Sequence, residues 1–150
     1  MIHQQLNDDV KSAMLAGEAL RVETLRGLKS VILYAEVAAN KRDTGLDDET
    51  ILTLFAKEAK KRQESADLYV RGGSQERADK ELAEKAIIES YLPAQLSEAE
   101  VTALVDEAIV THGATSLQDM GKVIGAVKTR VGNTAEGSLI AKLVKERLSA

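Results

Sequence analysis

The sequence contains no cysteine and no tryptophan, and only one proline, among 150 residues. Without cysteine there is no disulfide framework, no thiolate chemistry and no cysteine-based zinc site. A cytoplasmic location is the simplest expectation from that absence. No run approaches the roughly 18 consecutive apolar residues of a membrane-spanning helix, so no membrane partner is expected. The start, "MIHQQLNDDVK", lacks the basic stretch and apolar core of a secretory leader. Aromatics make up only 3%, which leaves little for stacking the bases of a single strand. Alternating β-branched runs and Asn-Gly turns are missing too, so strands are not expected.

What is present is ordinary for a soluble globular protein: 44% hydrophobic and 29% charged residues. Apolar residues recur at spacings of three and four, the period of buried helix faces. The expected fold is all-α. A first helix covers about residues 2–16 and stops near Gly17. A second runs from about Glu18 to Lys41, with Leu25, Leu28, Ile32 and Ala35 on one stripe. Asp47 N-caps a long third helix with Ile51, Phe55, Ala59, Ala66 and Tyr69 on one side. The "GGS" at 72–74 breaks it, and Ser74 caps a fourth helix reaching "IIESYL". Short connections make neighbours antiparallel, and the third and fourth helices form a long hairpin.

Pro93 ends the fourth helix, since the residue before proline avoids helical geometry. Ser97-x-x-Glu100 is a capping box that starts a fifth helix, with Val101, Leu104, Val105, Ala108 and Ile109 as its apolar face and Gly113 as its C-cap. Ser116-x-x-Asp119 opens a sixth, which runs to Gly132. The last covers about 135–149. The expectation is a four-helix N-terminal domain, 1–92, and a three-helix C-terminal domain, 94–150.

The net charge of −4 argues against indiscriminate nucleic-acid binding, and DNA is not an expected partner. The average hides an asymmetry. Residues 1–112 carry 14 Lys+Arg and 21 Asp+Glu, whereas 113–150 carry six and three. A basic tail of this kind suggests an anionic partner. In "DMGKVIGAVKTRVG" two glycines interrupt a helical run, each costing roughly 1 kcal/mol relative to alanine. Gly121 and Gly125 fall together beside the apolar stripe of Met120, Val123, Ile124, Val127 and Val131, with Lys122 and Lys128 nearby. A surface without Cβ lets another backbone approach. The partner is either a neighbouring helix or a sugar-phosphate backbone, and close internal packing is the favoured expectation. The "GK" is not a nucleotide loop, because G-x-x-x-x-G-K-[ST] would need glycine at Ser116 and a hydroxyl at Val123.

A second basic feature is "KEAKKRQ", with Lys57, Lys60, Lys61 and Arg62 on the third helix. Either it is a solvated face partnered by Glu58 and Glu64, or it is an additional anionic contact or a set of salt bridges that orients the helical hairpin. Neither His3 nor His112 has metal-ligand spacing around it, and no serine lies in a nucleophile turn such as G-x-S-x-G. No carboxylate pair is singled out for acid–base work. No catalytic residue, metal or cofactor is expected.

The stretches "RVETLRGLKSVI", "KEAKKRQESADLY", "YLPAQLSEAEV", "DMGKVIGAVKTRV" and "EGSLIAKLVKERL" resemble the GatB/YqeY family, in its free-standing YqeY-like form, over essentially the whole chain. The resemblance implies a tail module like that closing the B subunit of the tRNA-dependent amidotransferase, a carbon–nitrogen ligase with glutamine as amido donor. There the tail is associated with holding the tRNA body, remote from the chemistry. It implies an accessory role here, with tRNA, the amidotransferase or other translation proteins as partners. The residues it points to on the tail are Lys122, Lys128, Arg130, Lys142 and Lys145, with Arg147 near the apolar side. The family's turn "GKADG" is replaced by Gly132-Asn133-Thr134-Ala135-Glu136-Gly137, which weakens a phosphate contact there. A helical protein–protein adaptor without RNA is the competing expectation, and an enzyme of unknown chemistry is a third; the family label of amidotransferase activity reaches this chain by the shared tail, not by an active site.

Overall fold

The computed structural model describes residues 1–150 and is all-helical. Seven α-helices follow one another: α1 (Ile2–Ala16), α2 (Ala19–Ala38), α3 (Asp48–Arg71), α4 (Gln75–Glu89), α5 (Glu98–His112), α6 (Met120–Val131) and α7 (Gly137–Ser149). Short 3-10 turns precede and follow α6. The chain divides into two compact units, Met1–Leu92 and Pro93–Ala150.

In the first unit α1 and α2 run antiparallel, tied at one end by His3 and Glu36 and at the other by Met14 and Arg26. Helices α3 and α4 form a second antiparallel hairpin. Apolar positions of α1, α2, α3 and α4 meet in one core containing Leu6, Leu25, Leu28, Ile32, Phe55 and Ile88. Phe55 meets the edge of Tyr91, with ring centroids 5.6 Å apart. Tyr91 in turn donates its hydroxyl proton to the Asp9 carboxylate. Beyond Ala59 the α3–α4 hairpin buries only small side chains, Ala66 and Ala78. Tyr69 is only partly buried there, with the Arg77 guanidinium 6.0 Å from its ring centre.

The second unit is a triangle of α5, α6 and α7 around Val101, Val105, Val123, Val127, Ile140 and Val144. Both partners of the Ser97–Glu100 capping box are engaged, at 3.1 and 2.8 Å. Gly113 closes α5 in the left-handed region at φ 61°, where a Cβ would be strained. The turn between α6 and α7 is tied to the segment after Pro93. The Leu96 N–H donates to the Thr134 carbonyl at 2.8 Å, and the Gln95 amide donates to the Asn133 carbonyl at 2.9 Å. The "LPAQL" motif therefore acts locally, by fixing that turn.

Three local expectations need correction. Helix α2 stops at Ala38, three residues early, because Asn40 turns left-handed at φ 54° and the Lys41 N–H returns to the Glu36 carbonyl. The Ser74 side chain caps nothing; only its carbonyl enters α4, accepting from the Ala78 N–H. The Ser116–Asp119 capping box is present as expected, but it opens on a 3-10 turn rather than on α6 itself, with the Asp119 carboxylate accepting from the N–H groups of Thr115 and Ser116.

Candidate nucleic-acid interface

Helix α6 buries only one stripe, Val123, Val127 and Val131. At about 100° per residue, Gly125 lies roughly 160° from Val127, on the opposite side. Gly121 and Gly125 are both exposed, and a Cβ at either would meet no heavy atom within 4 Å. The expected close packing against a neighbouring helix is therefore wrong. The apolar stripe does all the packing, and the bare backbone faces outward beside Lys122 and Thr129. The Thr129 hydroxyl donates back to the Gly125 carbonyl at 2.9 Å.

The tail cations separate into two groups. Arg130 pairs with Glu107 at 2.9 Å, and Arg147 pairs with Asp106 at 3.1 Å. Both acids stand on α5, so these guanidinium groups tie α6 and α7 to it. Arg147 stands on the stripe of Ile140, Leu143 and Val144, and its half-exposed guanidinium reaches out to Asp106, as a snorkelling side chain does. Lys122, Lys128, Lys142 and Lys145 are exposed and form no ion pair within 4.0 Å. Lys142 and Lys145 lie one turn apart on the outward stripe of α7, opposite Ile140, Leu143 and Val144. Lys128 reaches the start of α7: a Cβ on Gly137 would come within 3.2 Å of its Cε and 3.3 Å of its Nζ. Lys122 also helps hold the Asp119 carboxyl below the usual range, after the larger effect of the Thr115 and Ser116 N–H groups.

The charge asymmetry changes meaning once the unit boundary is known. Pro93–Ala150 includes the acids of α5 and carries six Lys+Arg against seven Asp+Glu, a net of −1. The tail is not a basic body; it has basic outward stripes.

The second patch on α3 divides in the same way. Arg62 is enclosed by Glu84 at 2.8 Å, Glu58 at 3.6 Å and Glu81 at 3.8 Å. Its Nε is buried, and the close approach to Glu84 lies off the N–H direction, so the attraction is ionic without a directed hydrogen bond. Lys61 joins Glu58 at 3.0 Å. Glu58 is thus a partner as expected, but Glu64 is not. Lys57 and Lys60 project into solvent. As a unit this patch is hairpin glue, and only the two free lysines remain open to an anion.

One buried polar pair escaped the sequence reading. Glu36 is 6% exposed, and its Oε1 lies 2.8 Å from His3 Nε2 and accepts from the Leu46 N–H at 3.4 Å. The signal was there in the sequence: Glu36 stands four residues after Ile32, continuing a core stripe, where a charge needs a partner. No cluster of three or more His, Asp or Glu is arranged to hold a metal. No helix is long and apolar enough to cross a membrane.

A family model described as "Yqey-like protein" matches residues 3–148. The chain belongs to the YqeY-like family. Curated relatives that it resembles are versions of "Altered inheritance of mitochondria protein 41, mitochondrial". The Eremothecium gossypii protein is 32% identical over 118 residues, 75% of this chain and 63% of that one. The Lachancea thermotolerans protein is 35% identical over 107 residues, 69% of this chain and 56% of that one. This YqeY-like chain therefore spans roughly half to two thirds of the length of the relatives it matches.

Proposed function

We propose that this YqeY-like protein is a non-catalytic accessory factor whose C-terminal unit holds the phosphate backbone of an RNA, with tRNA the intended class. The observation that carries the reading is the division of the tail cations. The arginines are spent on α5, while Lys122, Lys128, Lys142 and Lys145 are left exposed and unpaired. The outward glycines of α6 support it, since a helix face without Cβ admits a sugar-phosphate backbone to the flanking Lys122. Lys128 adds a cation at the N-terminal residue of α7, where the helix dipole already favours an anion. Glu136 stands beside that corner as the N-cap residue, and its carboxylate opposes a phosphate. The reading therefore rests mainly on Lys122, Lys142 and Lys145.

Binding of this kind is to phosphates, so it weakens steeply with salt. Three lysine–phosphate contacts give a slope of log affinity against log salt of about −3. The test is anisotropy of labelled total tRNA titrated with the protein across salt concentrations. Replacing Lys122, Lys142 and Lys145 by glutamate abolishes binding and leaves the helical circular-dichroism signal unchanged. Retained binding by that variant, or no binding by the parent even at low salt, sinks the proposal. The proposed compartment is the cytoplasm; a fluorescent fusion found instead in mitochondria, as the names of the relatives suggest for those proteins, overturns it.

A further inference from the structure

The α1–α2 hairpin carries a groove that the RNA reading does not use. One cleft of about 360 Å³ lies at the His3–Glu36 end, with Leu6, Asn7, Lys29 and Leu33 among its walls. A second, of about 520 Å³, lies at the other end among Ala13, Met14, Val22 and Arg26. On α1 the outer wall residues His3, Asn7 and Met14 share one stripe, and on α2 Arg26, Lys29 and Leu33 share another. Both clefts therefore open on the same side of the seam, as one groove. From His3 to Met14 it runs roughly 16 Å, at about 1.5 Å of rise per residue.

Its rim carries exposed apolar side chains: Met14 is 54% exposed, Leu33 42% and Val37, one turn beyond Leu33, 56%. Its cations are unspent. Arg26 and Lys29 border the groove without an ion pair, and Arg26 touches only the Met14 sulfur, at 3.6 Å. Of the acids, Glu36 is buried in its hydrogen bond to His3, which leaves Glu23 as the one exposed carboxylate, at the second cleft. Two exposed unpaired cations against one exposed acid leave the rim of this groove positive, in a unit with 14 Lys+Arg and 17 Asp+Glu.

We infer that this groove is a docking site for one amphipathic helix of a partner protein, with leucine-like anchors and acidic flanks. The apolar floor takes side chains at i, i+3/i+4 and i+7, and the flexible Met14 adapts to them. The cations on the rim select acidic neighbours and exclude basic ones. No aromatic lines either cleft, so the groove offers nothing on which a nucleobase stacks.

The probe is a labelled helical peptide of about four turns with leucines at those spacings and flanking glutamates, paired with a twin carrying lysines instead. The acidic peptide binds the full chain, shifts the backbone amide resonances of α1 and α2, and outcompetes its basic twin. Arg26→Glu combined with Lys29→Glu, both on exposed positions, weakens the acidic peptide about tenfold and improves the basic one. Leu33→Ser weakens both. Lys122→Glu with Lys128→Glu leaves peptide binding untouched, which separates this inference from the RNA reading. Equal binding of the two peptides, no binding of the acidic one, indifference to the α2 charge reversals, or displacement of the peptide by tRNA overturns it.

Discussion

Arg62 is surrounded by three carboxylates, so removing it differs in kind from removing the lysines beside it. Arg62→Met leaves Glu58, Glu81 and Glu84 facing one another in partial burial. Unfolding free energy should fall by about 1–3 kcal/mol, read from urea midpoints. Lys57→Met and Lys60→Met, on solvated positions, stay within about 0.5 kcal/mol. Asp119 illustrates the opposite balance at an exposed site. Two backbone N–H groups favour its charged form and hold its carboxyl below the ordinary 3.8. A depressed carboxylate contributes stability that is present above the unfolded value and lost as pH falls through the folded one. A carboxyl-detected NMR titration should therefore place its midpoint below 3.8, and Asp119→Asn should remove it from the profile while loosening the turn before α6. Tyr91 moves the other way: burial, then its bond to Asp9, push its hydroxyl above the ordinary value of 10. It stays protonated in alkali where an ordinary tyrosine ionises, and absorbance near the phenolate band checks this.

At the scale of elements, α6 carries the sharpest prediction because stability and binding should part company. A Cβ at Gly125 meets open space, so Gly125→Ala should stabilise by about 1 kcal/mol through the lower backbone entropy of the unfolded chain. Gly121 lies in the first turn of the helix, and its replacement by alanine gains less. If an RNA backbone approaches this face, the same methyl groups weaken binding even as the melting temperature rises. Gly27, mid-helix in α2 and equally open, is the control: Gly27→Ala stabilises and leaves RNA binding unchanged. A Gly121/Gly125 double variant that melts higher and binds as before removes the glycine face from the interface.

For the whole molecule, each unit has a closed hydrophobic cluster of its own, and we propose that they are independent domains. Expressed separately, 1–92 and 93–150 should each give a helical spectrum and a cooperative melt. The smaller one should melt lower, because a unit of roughly 60 residues buries only about 60% of its unfolded surface. A fragment 93–150 that stays unfolded alone, yet is ordered in the full chain, would show that the two share their stability.

The sequence by itself determined the helices and most of their ends. The Ser97–Glu100 box and the Asp47 cap are satisfied within three residues, and the valine stripe of α6 declares its buried side through its period. Such interactions join neighbours along the chain, so a pattern in the chain contains them. Tertiary structure alone decided which cations are free. Arg130 and Lys128 are two residues apart on one helix, yet the first finds Glu107 on α5 and the second finds only Gly137. His3 meets Glu36 across 33 positions, and Arg62 meets Glu84 across a hairpin turn. Whether the glycines of α6 faced a helix or solvent also depended on where α5 and α7 settle. A charge or a bare backbone acquires its role from its surroundings, and those come from chain segments that meet only on folding.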